Sequence, residues 1–177
     1  MTTHAMIDLE TLDVLPTATV LTIGGVKFDP NSVKETLQPF YYRFDVDEQL
    51  NKGRTISEST MDWWATQAED VREEALGDDN RTPVLEILKA LNKWCVGIDE
   101  LWCQGPLFDY AILQNLYAQL NQPCPWNYWQ IRDSRTLFSL YKENETSKPD
   151  AHNALADCDY QAKKVQRYYR TLNLKSF

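Results

Sequence analysis

Five side chains able to do chemistry are spread over the whole chain: Asp8 and Glu10 near the N-terminus, Asp109 in the middle, His152 and Asp157 near the C-terminus. Asp8 and Glu10 are two residues apart, and on a strand such residues share one face. Ile7 and Leu9 then point to the opposite, buried side. Carboxylates side by side repel each other and are costly unless a cation lies between them, and hard divalent ions take such oxygen ligands. Asp109 follows Gln104-Gly-Pro-Leu-Phe, at the start of a helix after a strand. Asp157 falls in the first turn of the last helix, and His152 stands just before it, followed by Asn153 and the small Ala154. With the helix starting at Asn153, the imidazole projects from the entry loop while Asp157 lies one turn in, so both can approach one point. An imidazole titrating near neutrality suits the deprotonation of water. Four carboxylates and one imidazole are the complement that a two-metal phosphodiester-cleaving centre needs.

Each group alone also has an ordinary explanation. Asp8 and Glu10 fit the solvent-facing side of an edge strand, and Asp109 and Asp157 fit first-turn positions favoured by the helix dipole. His152 fits a surface or capping histidine. A zinc site lacks its partners, because the other histidine is His4 and the four cysteines, at 95, 103, 124 and 158, show no C-x-x-C spacing. The expectation for the thiols is a reduced, buried or semi-buried state.

The elements that must position these residues follow from periodicity and punctuation. Residues 4 to 10 read as a strand, Leu12 to Pro16 as a turn, and Ala18 to Phe28 as a second strand ended by Asp29-Pro-Asn. Gln38 to Val46 gives a third strand, which makes an antiparallel meander. Residues 47 to 82 read as helical in pieces, with Ser57 to Thr60 capping the piece that carries Met61 to Gln67. Thr82 is an N-cap candidate and Pro83 a first helical residue, before a helix with Val84, Leu85, Leu88, Leu91 and Trp94 at helical spacing. Glu100 to Gln104 reads as a fourth strand, Phe108 to Leu120 as a helix, Trp126 to Arg132 as a fifth strand and Ser134 to Glu143 as a short helix. A charged loop over 143–150 precedes the last helix, Asn153 to Leu172, whose end carries Lys163, Lys164, Arg167 and Arg170. Strands first and helices mostly afterwards indicate an α+β or mixed α/β chain.

With 177 residues and no repeat, low-complexity tract or linker, residues 1–177 read as one domain able to bury a substantial core. A net charge of −8 argues against an open basic platform for nucleic acid. An acidic protein can still act on nucleic acid where bound cations offset charge locally. No apolar run reaches membrane-spanning length and no basic region with an apolar core opens the chain, so the expectation is a cytoplasmic protein without a membrane partner.

Jointly the strings resemble a known pattern. Asp8-x-Glu10, Phe108-Asp109 and His152-x4-Asp157, in this order over nearly the whole chain, resemble the DEDDh branch of the DnaQ-like 3′–5′ exonuclease superfamily. Asp8-Leu-Glu-Thr11 and His152-Asn-Ala-Leu-Ala-Asp157 are close to family-typical strings. The DEDDy branch would put Tyr at the position of Asn153. Trp63-Trp64-x-x-Gln67 and Arg132-Asp133-x-Arg135-Thr136 are similar to a compact bacterial and phage group that includes exoribonuclease-like proteins and phage exonuclease A. The resemblance implies an RNase H-like fold: a five-stranded mixed sheet with three antiparallel strands, flanked by helices. It implies two Mg²⁺ or Mn²⁺ ions held by Asp8, Glu10, Asp109 and Asp157, typically about 3.5–4 Å apart, with Asp8 bridging both. His152 would deprotonate the attacking water, releasing nucleoside 5′-monophosphates from the free 3′ end of single-stranded RNA or DNA.

Expectations for the surroundings are looser. Thr11 and Leu12 are candidates for sugar contact and base wedging, as the family places such residues beside the terminal nucleotide. Of Trp63 and Trp64, adjacent on a helix, one at most can stack on a base; Trp64 with Gln67 at i+3 is the expected pair. Phe108 is a candidate neighbour of the same nucleotide. Arg132 and Arg135 fit phosphate contacts or salt bridges, and the basic end of the last helix fits a solvated face or a substrate track. A homodimer, frequent among relatives, is compatible with the tryptophan content. Two competing functions remain at this level: a small-nucleotide hydrolase and a non-catalytic nucleic-acid-binding module on the same fold.

Overall fold

The computed structural model describes residues 2–141 and 152–175. The strand that carries Asp8 and Glu10, β1 (His4–Thr11), lies inside the sheet, not at its edge. It pairs antiparallel with β2 (Val20–Phe28), which pairs antiparallel with β3 (Leu37–Phe44). On its other side β1 pairs in parallel with β5 (Glu100–Cys103), and β5 with β6 (Ile131–Asp133). A two-residue β4 (Arg81–Thr82) adds in parallel to β3, giving a mixed sheet of six strands in the order β4-β3-β2-β1-β5-β6. The helices are α1 (Val46–Asn51), α2 (Glu58–Ala65), α3 (Glu69–Leu76), α4 (Val84–Trp94), α5 (Asp109–Gln119), α6 (Ser134–Ser139) and α7 (Ala154–Thr171).

The strand period of two divides β1 between two layers. Ala5, Ile7 and Leu9 join a core with Ile87, Leu88 and Leu91 of α4 and Ile112, Leu113 and Leu116 of α5. Met6 faces the other way, into a second core with Cys158, Ala162, Val165 and Tyr168 of α7. Burying each such aliphatic side chain contributes roughly 1.5–3 kcal/mol, so β1 is held from both sides. Asp8 and Glu10 continue the α7 face. Gly24 of β2 pairs with Asp8 in register. A Cβ there would lie 2.3 Å from the backbone carbonyl of Ala154 and 2.5 Å from Leu155 N. The missing side chain is therefore what lets the start of α7 rest on the sheet beside the carboxylates.

Four local expectations change. The sheet has a sixth strand, because Thr82 is not a cap: it pairs in β4 opposite Phe44, and Pro83 takes the N-cap position of α4. The N–H of Val84, which has no partner within the helix, is satisfied by Glu48 Oε2 at 2.9 Å. Trp126 to Arg132 is not one strand: Asn127 and Gln130 close a capping box around a 3₁₀ turn at Tyr128–Gln130, and β6 starts after it. α6 ends at Ser139, and the charged loop expected over 143–150 lies outside the described residues. Among the described residues no helix is long and apolar enough to cross a membrane.

The basic end of α7 is drawn into packing. Lys163 bridges Glu35 at 2.7 Å and Asp159 at 3.0 Å, and Arg170 Nη1 donates to Ser32 O at 3.1 Å. The buried Lys164 lies over the Phe138 ring at 4.6 Å. These residues fasten α7 to the β2–β3 connection and to α6.

Candidate active site

β1 presents Asp8 and Glu10 toward the N-terminal end of α7. α5 begins at Asp109, after Gly105 has turned the chain out of β5 at φ 127°, a conformation that favours glycine. Asn153 caps α7 by accepting from Ala156 N at 3.0 Å, which sets Asp157 in the first turn. His152 precedes the cap with φ 70°, and its N–H donates to Asp157 Oδ2 at 3.3 Å. Left-handed backbone at a histidine is uncommon, and here it turns the side chain back over the carboxylates.

One open cleft of about 240 Å³ takes in Asp8, Glu10, Asp109, His152 and Asp157, with Gln104, Phe108, Arg135 and Gln161 completing its wall. Ligand atoms of Glu10, His152 and Asp157 lie within 4.8 Å of one another. Asp109 is turned toward the sheet and accepts Leu9 N–H at 3.1 Å, and Asp8 Oδ1 accepts from Gln161 Nε2 at 3.4 Å.

The electrostatics fit hard cations. Asp109 is 3% exposed, and burial pushes its carboxyl up to about 7 although the Leu9 N–H and Arg135 pull the other way. Glu10 and Asp157 are buried beside it, and carboxylates gathered in this way suit a bound cation. Burial also holds the neighbouring Cys103 and Cys158 thiols far above their ordinary range, so neither is a thiolate. The donor set is therefore oxygen and imidazole, which suits Mg²⁺ or Mn²⁺ better than a soft ion.

A second cleft, of about 350 Å³, adjoins the first along Leu9 and Glu10 and is lined by Thr11, Val14, Ser59, Thr60, Trp63 and Phe108. Of the residues expected beside a terminal nucleotide, Thr11 and Phe108 line this cleft, and Leu12, Trp64 and Gln67 do not. Trp64 is 1% exposed, and its Nε1 donates to Thr11 O at 2.9 Å. Leu12 packs with Leu21, Trp64 and Ala75, since the β1–β2 register slips after Glu10 and re-aims the chain inward. Gln67 is spent on Trp63 O at 3.1 Å. Trp63, 40% exposed, and Val14, 67% exposed, line the cleft. The Trp63 ring stands edge-on to His152 at 4.8 Å and to Trp64 at 4.9 Å.

A third hollow, of about 470 Å³, lies on the far side of His152 and carries Asp70 and Glu74 of α3 and Asp159 of α7. Arg135 borders the carboxylate cleft, whereas Arg132 is committed to Glu100 at 2.7 Å. Gln161 had a signal in the sequence, being four residues after Asp157 on one helix face. Trp63 was a candidate together with Trp64, and helix phase decided between them; Val14 had no signal.

Comparison with known proteins accords with this geometry. Residues 3–169 match the family model described as the 3′–5′ exoribonuclease Rv2179c-like domain. The exodeoxyribonuclease of Enterobacteria phage T4 is 27% identical over 191 residues, covering 86% of this chain and 83% of that protein. The fold is similar to that of E. coli exonuclease I in complex with a dT13 oligonucleotide, with a TM-score of 0.68 at 14% identity over 98% of this chain and 43% of that one. The zinc-bound E. coli exonuclease I–ssDNA complex gives 0.68 at 11% identity, over 97% of this chain and 41% of that one. This chain thus spans less than half the length of those structures. With the family model matched over nearly its full length, the chain belongs to the 3′–5′ exoribonuclease Rv2179c-like domain family and is a DEDDh-type 3′–5′ exonuclease domain.

Proposed function

We propose that this domain hydrolyses single-stranded RNA or DNA from a free 3′ end to nucleoside 5′-monophosphates, with two divalent cations and His152 as general base. The observation that carries the reading is the convergence of Asp8, Glu10, Asp109, His152 and Asp157 on one cleft from β1, α5 and the start of α7. Asp8, Glu10, Asp109 and Asp157 would hold the cations. When bound, such a pair supplies charge that stabilises both the attacking and the leaving oxygen of an in-line displacement.

The chain's own residues do the rest. The His152 imidazole takes the proton of the attacking water at a ring nitrogen, and the Trp63 edge limits how far the ring can swing from the cleft. The terminal nucleotide lies in the adjoining cleft, its base against Trp63 or Phe108 and its sugar near Thr11. Thr11 Oγ1 already donates to Asp13 O at 2.7 Å, so toward a sugar hydroxyl it acts as an acceptor. Stacking on one such ring is worth roughly 1–3 kcal/mol and does not depend on base identity. Beyond His152 the acidic residues Asp70, Glu74 and Asp159 repel a phosphate backbone, so a strand enters from the aromatic side and stops. That asymmetry favours an end over an internal linkage. Single-stranded substrate is further supported by the oligonucleotides bound to the E. coli relative.

The test uses 5′-labelled single-stranded RNA and DNA of one sequence, with Mg²⁺, Mn²⁺ or EDTA. A metal-dependent ladder shortening from the 3′ end is expected, and the faster ladder names the preferred sugar. Hydrolysis of mononucleotides with intact oligomers would move the assignment to a small-nucleotide hydrolase. No turnover of either kind would leave a binding module.

A further inference from the structure

Gln161 lies on α7 one turn beyond Asp157, so both side chains leave the same helix face. It is 3% exposed, and it forms part of the carboxylate cleft's wall. Its Nε2 donates to Asp8 Oδ1 at 3.4 Å. A carboxylate can only accept, which fixes the orientation of the amide: nitrogen toward Asp8, oxygen away from it. That oxygen, Oε1, is buried and has no hydrogen-bond partner. Buried carbonyl oxygens without a donor are rare, and each calls for a reason. Packing is not the reason here. The adjacent inward positions of α7, Cys158, Ala162 and Val165, are filled by small or apolar side chains, and an apolar residue would seal this one without leaving an unmet acceptor. Because Gln161 lines the carboxylate cleft, a donor bound there would meet this oxygen. Mg²⁺ and Mn²⁺ at carboxylate sites retain part of their hydration, and water on a divalent cation is a strong donor.

We propose that Gln161 is a positioning residue of the cation site: Nε2 holds Asp8, and Oε1 accepts a hydrogen bond from a hydration water of the divalent cation. The inference rests on the cation reading given above for Asp8, Glu10, Asp109 and Asp157. Through one amide it ties the strand that supplies Asp8 to the helix that supplies Asp157. Partners of this kind orient ligands without touching the ion, and their loss typically weakens metal affinity by about 10–100-fold.

The test measures Mn²⁺ binding by calorimetry on EDTA-treated protein for wild type, Gln161→Met and Asp157→Asn. Gln161→Met keeps the volume but removes both hydrogen bonds. Its dissociation constant for Mn²⁺ is expected to rise about 10–100-fold. Its thermal midpoint without metal should stay level or rise, because the unmet acceptor is gone. A purely structural glutamine would give the reverse, a lowered midpoint with binding unchanged. Binding within about two-fold of wild type overturns the proposal. If Gln161→Met does not fold, Gln161→Asn, whose shorter amide cannot reach Asp8, carries the same expectation. Wild type and Asp157→Asn that both fail to bind Mn²⁺ would overturn the cation reading itself. Binding lost in Asp157→Asn but intact in Gln161→Met would overturn only the role of Gln161.

Discussion

The two ends of β1 bury ionisable groups in opposite ways. At its start, His4 is fully buried with Phe28, Trp102 and Tyr169 rings around it at 5.8, 6.1 and 6.1 Å. Trp102 Nε1 donates to its Nδ1 at 3.0 Å, and burial drops its pKa to about 4. At its far end, Asp8 and Glu10 meet Asp109 and Asp157, and burial drives Asp109 upward. The histidine is kept neutral by its burial and is held by its own chain through Nδ1. The carboxylates are gathered on one open cleft, where an ion can reach them. One ionisable group is sealed inside the core, whereas the others line a space that a ligand can enter.

The sharpest way to break this comparison is to remove members of the far end. His152→Ala should lower turnover by roughly 10²–10⁴-fold, the range for loss of a general base. Asp157→Ala should abolish it. In both variants the fold should survive, so that the lost turnover reports the site and not unfolding. Full activity of either variant in the 3′-end ladder assay would sink the assignment.

Trp64 and Trp63 repeat the contrast within one helix turn. Trp64 has its partner in the chain, so Trp64→Ala should cost about 3–5 kcal/mol of stability in a denaturant melt. Trp63→Ala should leave stability within about 0.5 kcal/mol. Its cost should fall instead on substrate, as roughly 1–3 kcal/mol of lost stacking. Equal stability losses in the two variants would erase the distinction.

Gly24→Ala probes what brings the far end together. The added Cβ would collide with backbone at Ala154 and Leu155, not with a flexible side-chain tip. Overpacking of this kind costs about 1–3 kcal/mol. Displacing α7 by about 1 Å would separate Asp157 and His152 from β1, and misplacement of that size can cost about 10²-fold in rate. Activity measured where the variant is fully folded should therefore fall far more than stability. A variant with wild-type turnover would show that α7 can be shifted without harm to the site.

Much of this was legible in the sequence for identifiable reasons. Asp8-x-Glu10 was readable because the strand period puts the pair on one face, and His152-x4-Asp157 because the string resembles a family-typical one, His152 itself standing before α7. The meander β1–β3 and helices α4, α5 and α7 followed from apolar periodicity. What stayed hidden depended on long-range partners. β4 is two residues long and exists through its pairing with β3, and the α4 N-terminus is satisfied by Glu48, 36 residues earlier. Leu12 looked like a wedge because nothing local announced the register slip after Glu10. Trp63 and Trp64 are the same residue type one position apart, and only the docking of α2 against Thr11 separates them.

The smallest expected effect lies at the structural end of β1. His4 has its folded pKa depressed to about 4 from 6.5, mainly by burial and by nearby Arg132, with Asp99 and Asp29 acting in the opposite direction. Glu100 Oε2 lies 3.6 Å from Nε2 without changing that sign. The unfolded chain therefore binds a proton below about pH 6.5 that the folded chain refuses until about pH 4. Stability from this group is fully present above pH 6.5 and is lost as pH falls toward 4. Between pH 7 and pH 5.5 the loss amounts to about 1 kcal/mol. Other titrating groups act over the same interval, so the measurement is a difference: denaturant midpoints at both pH values for wild type and for His4→Gln. Wild type should lose about 1 kcal/mol more than the variant on acidification. An equal loss in both would mean that the built-in partners of His4 accept its proton, and the two ends of β1 would then differ less than their burial implies.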